Sequence, residues 1–306
     1  MTCYKPLLAW RDPYNLGKNG KPSLTFKGRS GLEPIKIPCG QCLGCRLERS
    51  RQWATRCIHE ASLWSKNCFI TLTFDDAHLS PNRSLNPDDF VKFMKRFRKR
   101  YDGADFTYDS TTGEKIYPIR YFHCGEYGEL YNRPHHHAII FNFDFPDKEL
   151  WQVKHGNYLY RSPSLESLWP YGFCTIGSVT FDSAAYVARY ILKKVTGDNS
   201  VAHYSGKIPE YVTMSRRPGI ARDWFLKYSD NIYDNDKVYI KPGLVVKPPR
   251  YYDKIYDDIN PTRMAEVKEK RYQIAQSCSP ICDYQRLNVR NHVKALKLKQ
   301  LKRVLE

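Results

Sequence analysis

The sequence lacks the long apolar run that a membrane protein needs: nowhere do about 18 apolar residues follow one another, so no spanning helix is expected. The start, Met1-Thr2-Cys3-Tyr4-Lys5-Pro6, has no apolar core followed by a small-residue cleavage site, so no signal peptide is expected either. Without one, ten cysteines point to thiols and metal ligands rather than to a disulfide framework, and the expected setting is cytosolic. No Gly-x-x-x-x-Gly-Lys-Ser/Thr loop is present, which excludes a P-loop motor in the chain. Internal repeats and low-complexity tails are missing too. Acidic side chains are scarce beside basic ones, 32 against 49, leaving a formal charge of +17 on 306 residues. An excess of that size holds a protein near polyanions, because each neutralised phosphate releases condensed counterions. With 14% aromatic residues, nucleic acid is the expected partner, ahead of an anionic membrane surface or a merely soluble basic protein.

What is present reads as a folded α+β chain, with 42% hydrophobic residues to bury. Residues 1–38 look like loops, Cys39 to Cys45 forms a knuckle, and Arg46 to Ser65 turns helical, with Trp53, Cys57, Ala61 and Trp64 on one face. Cys68 to Phe74 is β-branched and aromatic, a strand. Asn86 and Pro87 open a helix with an apolar stripe of Phe90, Phe93, Met94 and Phe97. Its other face carries Lys92, Lys95, Arg96, Lys99 and Arg100. Further strands are expected over 116–124, 135–143 and 173–180, and Asp182 caps a helix running to about Val195. That order predicts an antiparallel sheet with helices packed on it. The division expected is N-terminal loops, knuckle and helix over 1–65, a nuclease core over 66–200, and a basic C-terminal region over 201–306.

Chemistry concentrates in Arg133-Pro134-His135-His136-His137-Ala138-Ile139-Ile140-Phe141. On a strand, His135 and His137 point to one face and His136 to the other, so two imidazoles form a rigid claw for a metal ion. Glu126 is the expected third ligand, with Glu129 as the fallback. His₂Glu suits zinc, whereas a site that also binds phosphate oxygens suits Mg²⁺ or Mn²⁺. Farther on, Tyr186 and Tyr190 lie four apart and share a helical face, with Lys193 and Lys194 following within a turn. Taken alone the tyrosines read as packing; beside the histidine claw they read as nucleophiles. Cys39-x-x-Cys42-x-x-Cys45 offers three thiolates, and Cys3 is the expected fourth ligand, with Cys57 second. Structural zinc fits this set. An iron–sulfur run would need cysteine at position 49, which is Arg49, and unliganded thiols are the third reading. Cys278 and Cys282 stand too isolated to interpret.

Together, Phe69 to Asp76, Arg133 to Phe141 and Tyr186-x-x-x-Tyr190-x-x-Lys193-Lys194 resemble the HUH endonucleases, in particular the rolling-circle replication initiators of gokushoviruses and related single-stranded DNA phages. The cysteine knuckle and Met214-Ser215-Arg216-Arg217-Pro218-Gly219-Ile220 add to the resemblance, which spans about residues 39 to 220. His136 departs from it, since an aromatic residue often stands there. The resemblance implies a central antiparallel sheet of about five strands flanked by helices, with the cysteine module before it and a basic extension after it. It implies a metal held by His135, His137 and Glu126, and a tyrosine that cuts single-stranded origin DNA and stays joined to the 5′ phosphate. Lys95, Lys99, Arg216 and Arg217 are the candidate DNA contacts. Without its own motor, such a protein would work with a host helicase and DNA polymerase in the cytoplasm of the bacterial host cell. Two other classes compete: a zinc-containing DNA-binding regulator without catalysis, and a zinc hydrolase whose tyrosines only pack.

Overall fold

Pairing of the β-branched and aromatic segments gives the chain its main sheet. A computed structural model describes residues 3–17, 20, 22–28, 31–101, 107–108, 115–128, 131–154, 156–189, 194–195, 199–277 and 283–299. In chain order the elements begin β1 (Leu7–Leu16), β2 (Pro22–Thr25), β3 (Ile35–Ile37), α1 (Leu43–Ala61), β4 (Asn67–Thr73), α2 (Pro87–Tyr101), β5 (Thr107–Tyr108) and β6 (Lys115–Ile116). They continue with β7 (Arg120–Tyr127), β8 (Pro134–Phe141), β9 (Glu149–Lys154), β10 (Asn157–Arg161), α3 (Pro163–Leu168), β11 (Cys174–Gly177) and α4 (Phe181–Arg189). The last are α5 (Asn199–Tyr204), β12 (Tyr211–Met214), α6 (Arg222–Asn235), β13 (Val238–Lys241), β14 (Leu244–Val246), α7 (Arg250–Ile259), α8 (Pro261–Ser277) and α9 (Tyr284–Lys299). No described helix is long and apolar enough to cross a membrane.

Two units divide the chain. Residues 1–49 with 268–302 form one, built on the three-stranded sheet β2-β1-β3. Residues 50–267 form the other, around a seven-stranded sheet in the order β12-β7-β8-β4-β11-β10-β9, antiparallel at every pairing. The sheet is therefore wider than the expected five strands. The additional strands are β9 and β10 at one edge and β12 at the other. The exposed Leu150, Trp151, Val153 and Tyr158 of the β9–β10 hairpin blur the alternation that marks a half-buried strand. β12 lies in the basic stretch past residue 200 and pairs with β7 through Val212↔Cys124 and Met214↔Phe122.

Register fixes which side chains share a face. β8 sits between β7 and β4, with Glu126↔His135, Cys124↔His137, Thr73↔His135 and Thr71↔His137 opposed. Directly opposed antiparallel residues project the same way, so Glu126, Cys124, His135, His137, Thr71 and Phe69 share one face. Beyond them on that face, Ala54 and Cys57 of α1, Tyr186 and Val187 of α4, Phe225 of α6 and Tyr252 of α7 close a core over Phe122, Ile139 and Phe141. The opposite face packs Ile70, Leu72, Ala138 and Ile140 against Phe90, Phe93, Met94 and Phe97 of α2, with Leu165 and Leu168 of α3. α2 begins where expected, with the Asn86 carboxamide accepting the Asp88 amide at 3.1 Å. α4 starts slightly earlier than expected. Its cap is Thr180 rather than Asp182: Thr180 Oγ1 accepts the Ser183 amide at 3.1 Å and Ser183 Oγ accepts the Thr180 amide at 2.8 Å, a reciprocal pair.

One buried ion pair ties α1 to the sheet. Glu60, fully buried, faces Arg120 with Oε1–Nη1 at 3.2 Å and accepts the Ala221 amide at 2.5 Å. Arg120 also donates to the Pro218 carbonyl. Removing the carboxylate strands a buried guanidinium, so Glu60→Ala is expected to destabilise the unit by about 3–5 kcal/mol. That corresponds to roughly 10 °C in thermal unfolding, and a shift below about 2 °C would contradict the assignment.

Candidate active site

His137 and Glu126 are almost wholly buried side by side at the end of β7 and β8, with His137 Nε2 and Glu126 Oε1 2.8 Å apart. The other ring nitrogen, Nδ1, meets Thr71 Oγ1 of β4 at 3.0 Å. His135 is half-buried on the same face, its ring centroid 6.3 Å from that of His137. Its Nδ1 donates to the Arg133 carbonyl at 2.6 Å. Each imidazole thus has Nδ1 engaged by an orienting group, which presents Nε2 as the ligand atom. Two imidazoles and a carboxylate on one sheet face are a donor set that fits a divalent cation. Gly128 makes room for the claw: a Cβ there would lie 2.8 Å from His135 Cε1, so any larger residue would push the ring away. Arg133 pins the turn to the end of β4 by donating to the Phe74 carbonyl at 2.7 Å.

Tyr186 reaches this face from α4, which packs on β7 and β8. Its ring stands edge-on to His137, with centroids 5.4 Å apart and an interplanar angle of 88°, and it also meets Phe69. The side chain is 5% exposed. Lys194 is exposed, while Tyr190, Lys193 and the fallback ligand Glu129 lie outside the described residues. His136 faces the other way, as alternation requires. There it meets His123, Nδ1 to Nε2 at 3.1 Å, beside Phe90. Burial holds His136 neutral by lowering its pKa to about 3, which suits packing rather than metal capture on that face.

The cysteine set assembles in the unit formed by residues 1–49 and 268–302. One sulfur from each of Cys3, Cys39, Cys42 and Cys45 lies within 4.8 Å of the others, with Cys3 3.6 Å from Cys39 and 3.8 Å from Cys42. A tetrahedron of Zn–S bonds near 2.3 Å separates its sulfurs by about 3.8 Å, so this cluster can hold a metal such as zinc. Among the described residues it is the one group of three or more such side chains with all ligand atoms this close. Amides of Tyr4, Cys39 and Cys42 each point at a sulfur, of Cys42, Cys3 and Cys39 in turn, at 3.3 Å. At Cys42, burial pushes the thiol up, yet hydrogen bonds from the backbone of Cys45 and Tyr4 and from neighbouring thiols bring it down to about 6. Gly40, at φ +77°, supplies the left-handed turn between the first two ligands. Cys57 is instead buried in the apolar core of the 50–267 unit. Arg49, at the position an iron–sulfur run would give to cysteine, donates to the Gly40 carbonyl at 3.3 Å. The Cys39→Ala, Cys42→Ala variant is expected to lose one bound zinc per chain by metal analysis and to unfold at lower temperature. Equal zinc content in variant and wild type would contradict this site.

Among the DNA-contact candidates, Lys95 and Lys99 are exposed on α2, and Arg216 and Arg217 are exposed just past β12. The orienting roles of Thr71, the Arg133 carbonyl and Gly128 were not foreseen from the sequence. Thr71 and Thr73 do alternate in β4, but only strand pairing tells which histidine each meets.

Comparison with known proteins gives the setting. A family model for replication-associated proteins of the ORF2 group matches residues 67–195, the stretch from β4 through α4. The replication-associated protein VP4 of Bdellovibrio phage phiMH2K is 33% identical over 284 residues, covering 90% of this chain and 85% of the relative. The replication-associated protein ORF2 of Spiroplasma virus 4 is 32% identical over 301 residues, covering 90% and 87%. The replication-associated protein ORF4 of Chlamydia phage 1 is 32% identical over 222 residues, covering 71% and 52%. No solved structure matches. With identity at this level running almost end to end, the chain belongs to the family of phage replication-associated proteins.

Proposed function

We propose that this protein nicks single-stranded DNA at a replication origin by tyrosine transesterification, in the manner of an HUH endonuclease. The observation that carries the reading is the meeting of His137, Glu126 and Tyr186 on one sheet face, within a chain whose relatives are phage replication-associated proteins. His135, His137 and Glu126 would hold a Mg²⁺ or Mn²⁺ ion, which supplies Lewis-acid polarisation of the phosphate and stabilises its developing charge.

The chain's own groups do the rest. The hydroxyl of Tyr186 or Tyr190 attacks phosphorus, a tyrosyl O–P bond forms, and the bond from phosphorus to the 3′ oxygen breaks. The proton lost by tyrosine is balanced by the proton gained at the leaving oxygen, which departs as a 3′-hydroxyl able to prime synthesis. Because one phosphodiester replaces another, the linkage keeps its energy, and a second tyrosine can cut a regenerated origin while the first product is rejoined. Lys193 and Lys194 supply positive charge for the phenolate or phosphate. Strand opening and synthesis fall to a host helicase and DNA polymerase, in the cytoplasm of the bacterial host.

Incubation with end-labelled single-stranded DNA and Mn²⁺ tests the proposal. An SDS-stable protein–DNA adduct is expected. Cleaved ends without an adduct would identify a hydrolase instead, and binding without cleavage under any metal would identify a regulator.

A further inference from the structure

At the other end of β7 from Glu126, a second cavity of about 340 Å³ opens between Arg98 of α2, Tyr117, Arg120 and Tyr121, and the turn bearing Arg216 and Arg217. The two ends of the strand are six residues apart, on the order of 20 Å at the usual rise. The arginine turn is anchored firmly. Ser215 donates its amide to the Tyr121 carbonyl at 3.0 Å and accepts the Tyr121 amide on Oγ at 3.1 Å. Arg120 closes the turn on the Pro218 carbonyl, its own charge met by Glu60 from behind. The Arg98 guanidinium lies over the Tyr117 ring at 4.2 Å and over Tyr121 at 5.8 Å, which aligns a planar donor beside two aromatic rings. Among the described lining residues there are four arginines and no carboxylate.

Planar guanidinium groups match phosphate oxygens in pairs, and aromatic rings stack on bases. Four cations around two tyrosines are therefore complementary to a nucleotide rather than to a bare anion or an apolar ligand. We propose that this cavity binds one nucleotide of the DNA strand outside the cleaved position, its phosphate on Arg216 and Arg217 and its base beside Tyr117. This rests on the nicking reading, because it takes the strand in the cavity to be the one cut at His137. At the stacked spacing of 3.4 Å, about six nucleotides connect the two ends of β7. The cavity would then measure the strand from a fixed point and hold it after the cut.

Fluorescence anisotropy with a labelled strand of about 25 nucleotides, across a salt series, tests the site. Arg216→Ala with Arg217→Ala is expected to bind about ten-fold or more weakly at low salt, with a log–log salt slope shallower by roughly 1.4. Tyr117→Leu is expected to weaken binding about five-fold or more with the slope kept, because it removes stacking and no charge. Lys227→Ala with Lys237→Ala, exposed on and just after α6, removes equal charge away from the cavity and is expected to change affinity less than two-fold, by the ~0.4 kcal/mol typical of a diffuse contribution. Equal losses in the two charge pairs, or no loss in the arginine pair, would overturn the site. Free dTMP binding as tightly as the strand would overturn the strand assignment in favour of a mononucleotide site. Wild-type protein that binds the strand through the arginines but forms no adduct would remove the nicking reading and leave the cavity's role standing.

Discussion

Replacing Tyr186 and Tyr190 together by phenylalanine is expected to abolish the covalent DNA adduct, a fall of roughly 10⁴-fold or more in its rate of formation. The size of the effect follows from chemistry: without a phenolic oxygen there is no atom to form the new bond to phosphorus. The fold should barely notice. Phenylalanine keeps the edge-on contact with His137 and the contact with Phe69, so the aromatic packing of the almost buried Tyr186 side chain persists. Strand binding by anisotropy and the unfolding temperature should stay close to wild type, which separates a lost nucleophile from a lost structure. Each single variant should keep partial adduct formation, since either tyrosine can serve the first cut. Full activity in the double variant would remove both tyrosines from the chemistry.

Loss of His137 comes next in expected size. His137→Ala should lower adduct formation by about 10²–10³-fold and raise the Mn²⁺ concentration needed for half activity. The residue sits where every line of the site crosses, bonded to Glu126 on Nε2, to Thr71 on Nδ1 and stacked near Phe69. Its removal leaves the buried Glu126 carboxylate without that partner, so unfolding temperature must be followed as well. The pairing of His137→Ala with Glu126→Gln relieves the charge and should recover stability without recovering activity. Thr71→Val, which only frees the ring to turn, should cost about 10- to 100-fold in metal affinity. Unchanged metal dependence in His137→Ala would contradict the role of the claw.

Much of this was legible in the sequence because periodicity is a direct record of burial. The stripe Phe90, Phe93, Met94 and Phe97 is one helix face and is buried as one. Alternation in His135-His136-His137 put two rings on one side and one on the other, which is how they lie. The three-spaced cysteines and distant Cys3 converge because a loop of this kind folds around a shared site. Register was not legible. Nothing in the residues says that Thr71 opposes His137 or that Val212 of β12 opposes Cys124, since strand pairing is a long-range choice made by the whole sheet. The edge hairpin β9–β10 was missed for a related reason: half-exposed strands bury too little to alternate clearly. The arginine cavity was visible only as Arg216 and Arg217, because Arg98, Tyr117 and Arg120 come from other parts of the chain.

The most direct measurement is to digest the DNA–protein adduct with protease and identify the modified peptide by mass spectrometry. The account predicts a nucleotide joined through its 5′ phosphate to Tyr186 or Tyr190, formed with Mn²⁺ and lost in the double phenylalanine variant. Linkage to any other residue, or cleaved DNA carrying a free 5′ phosphate and no peptide, would contradict it.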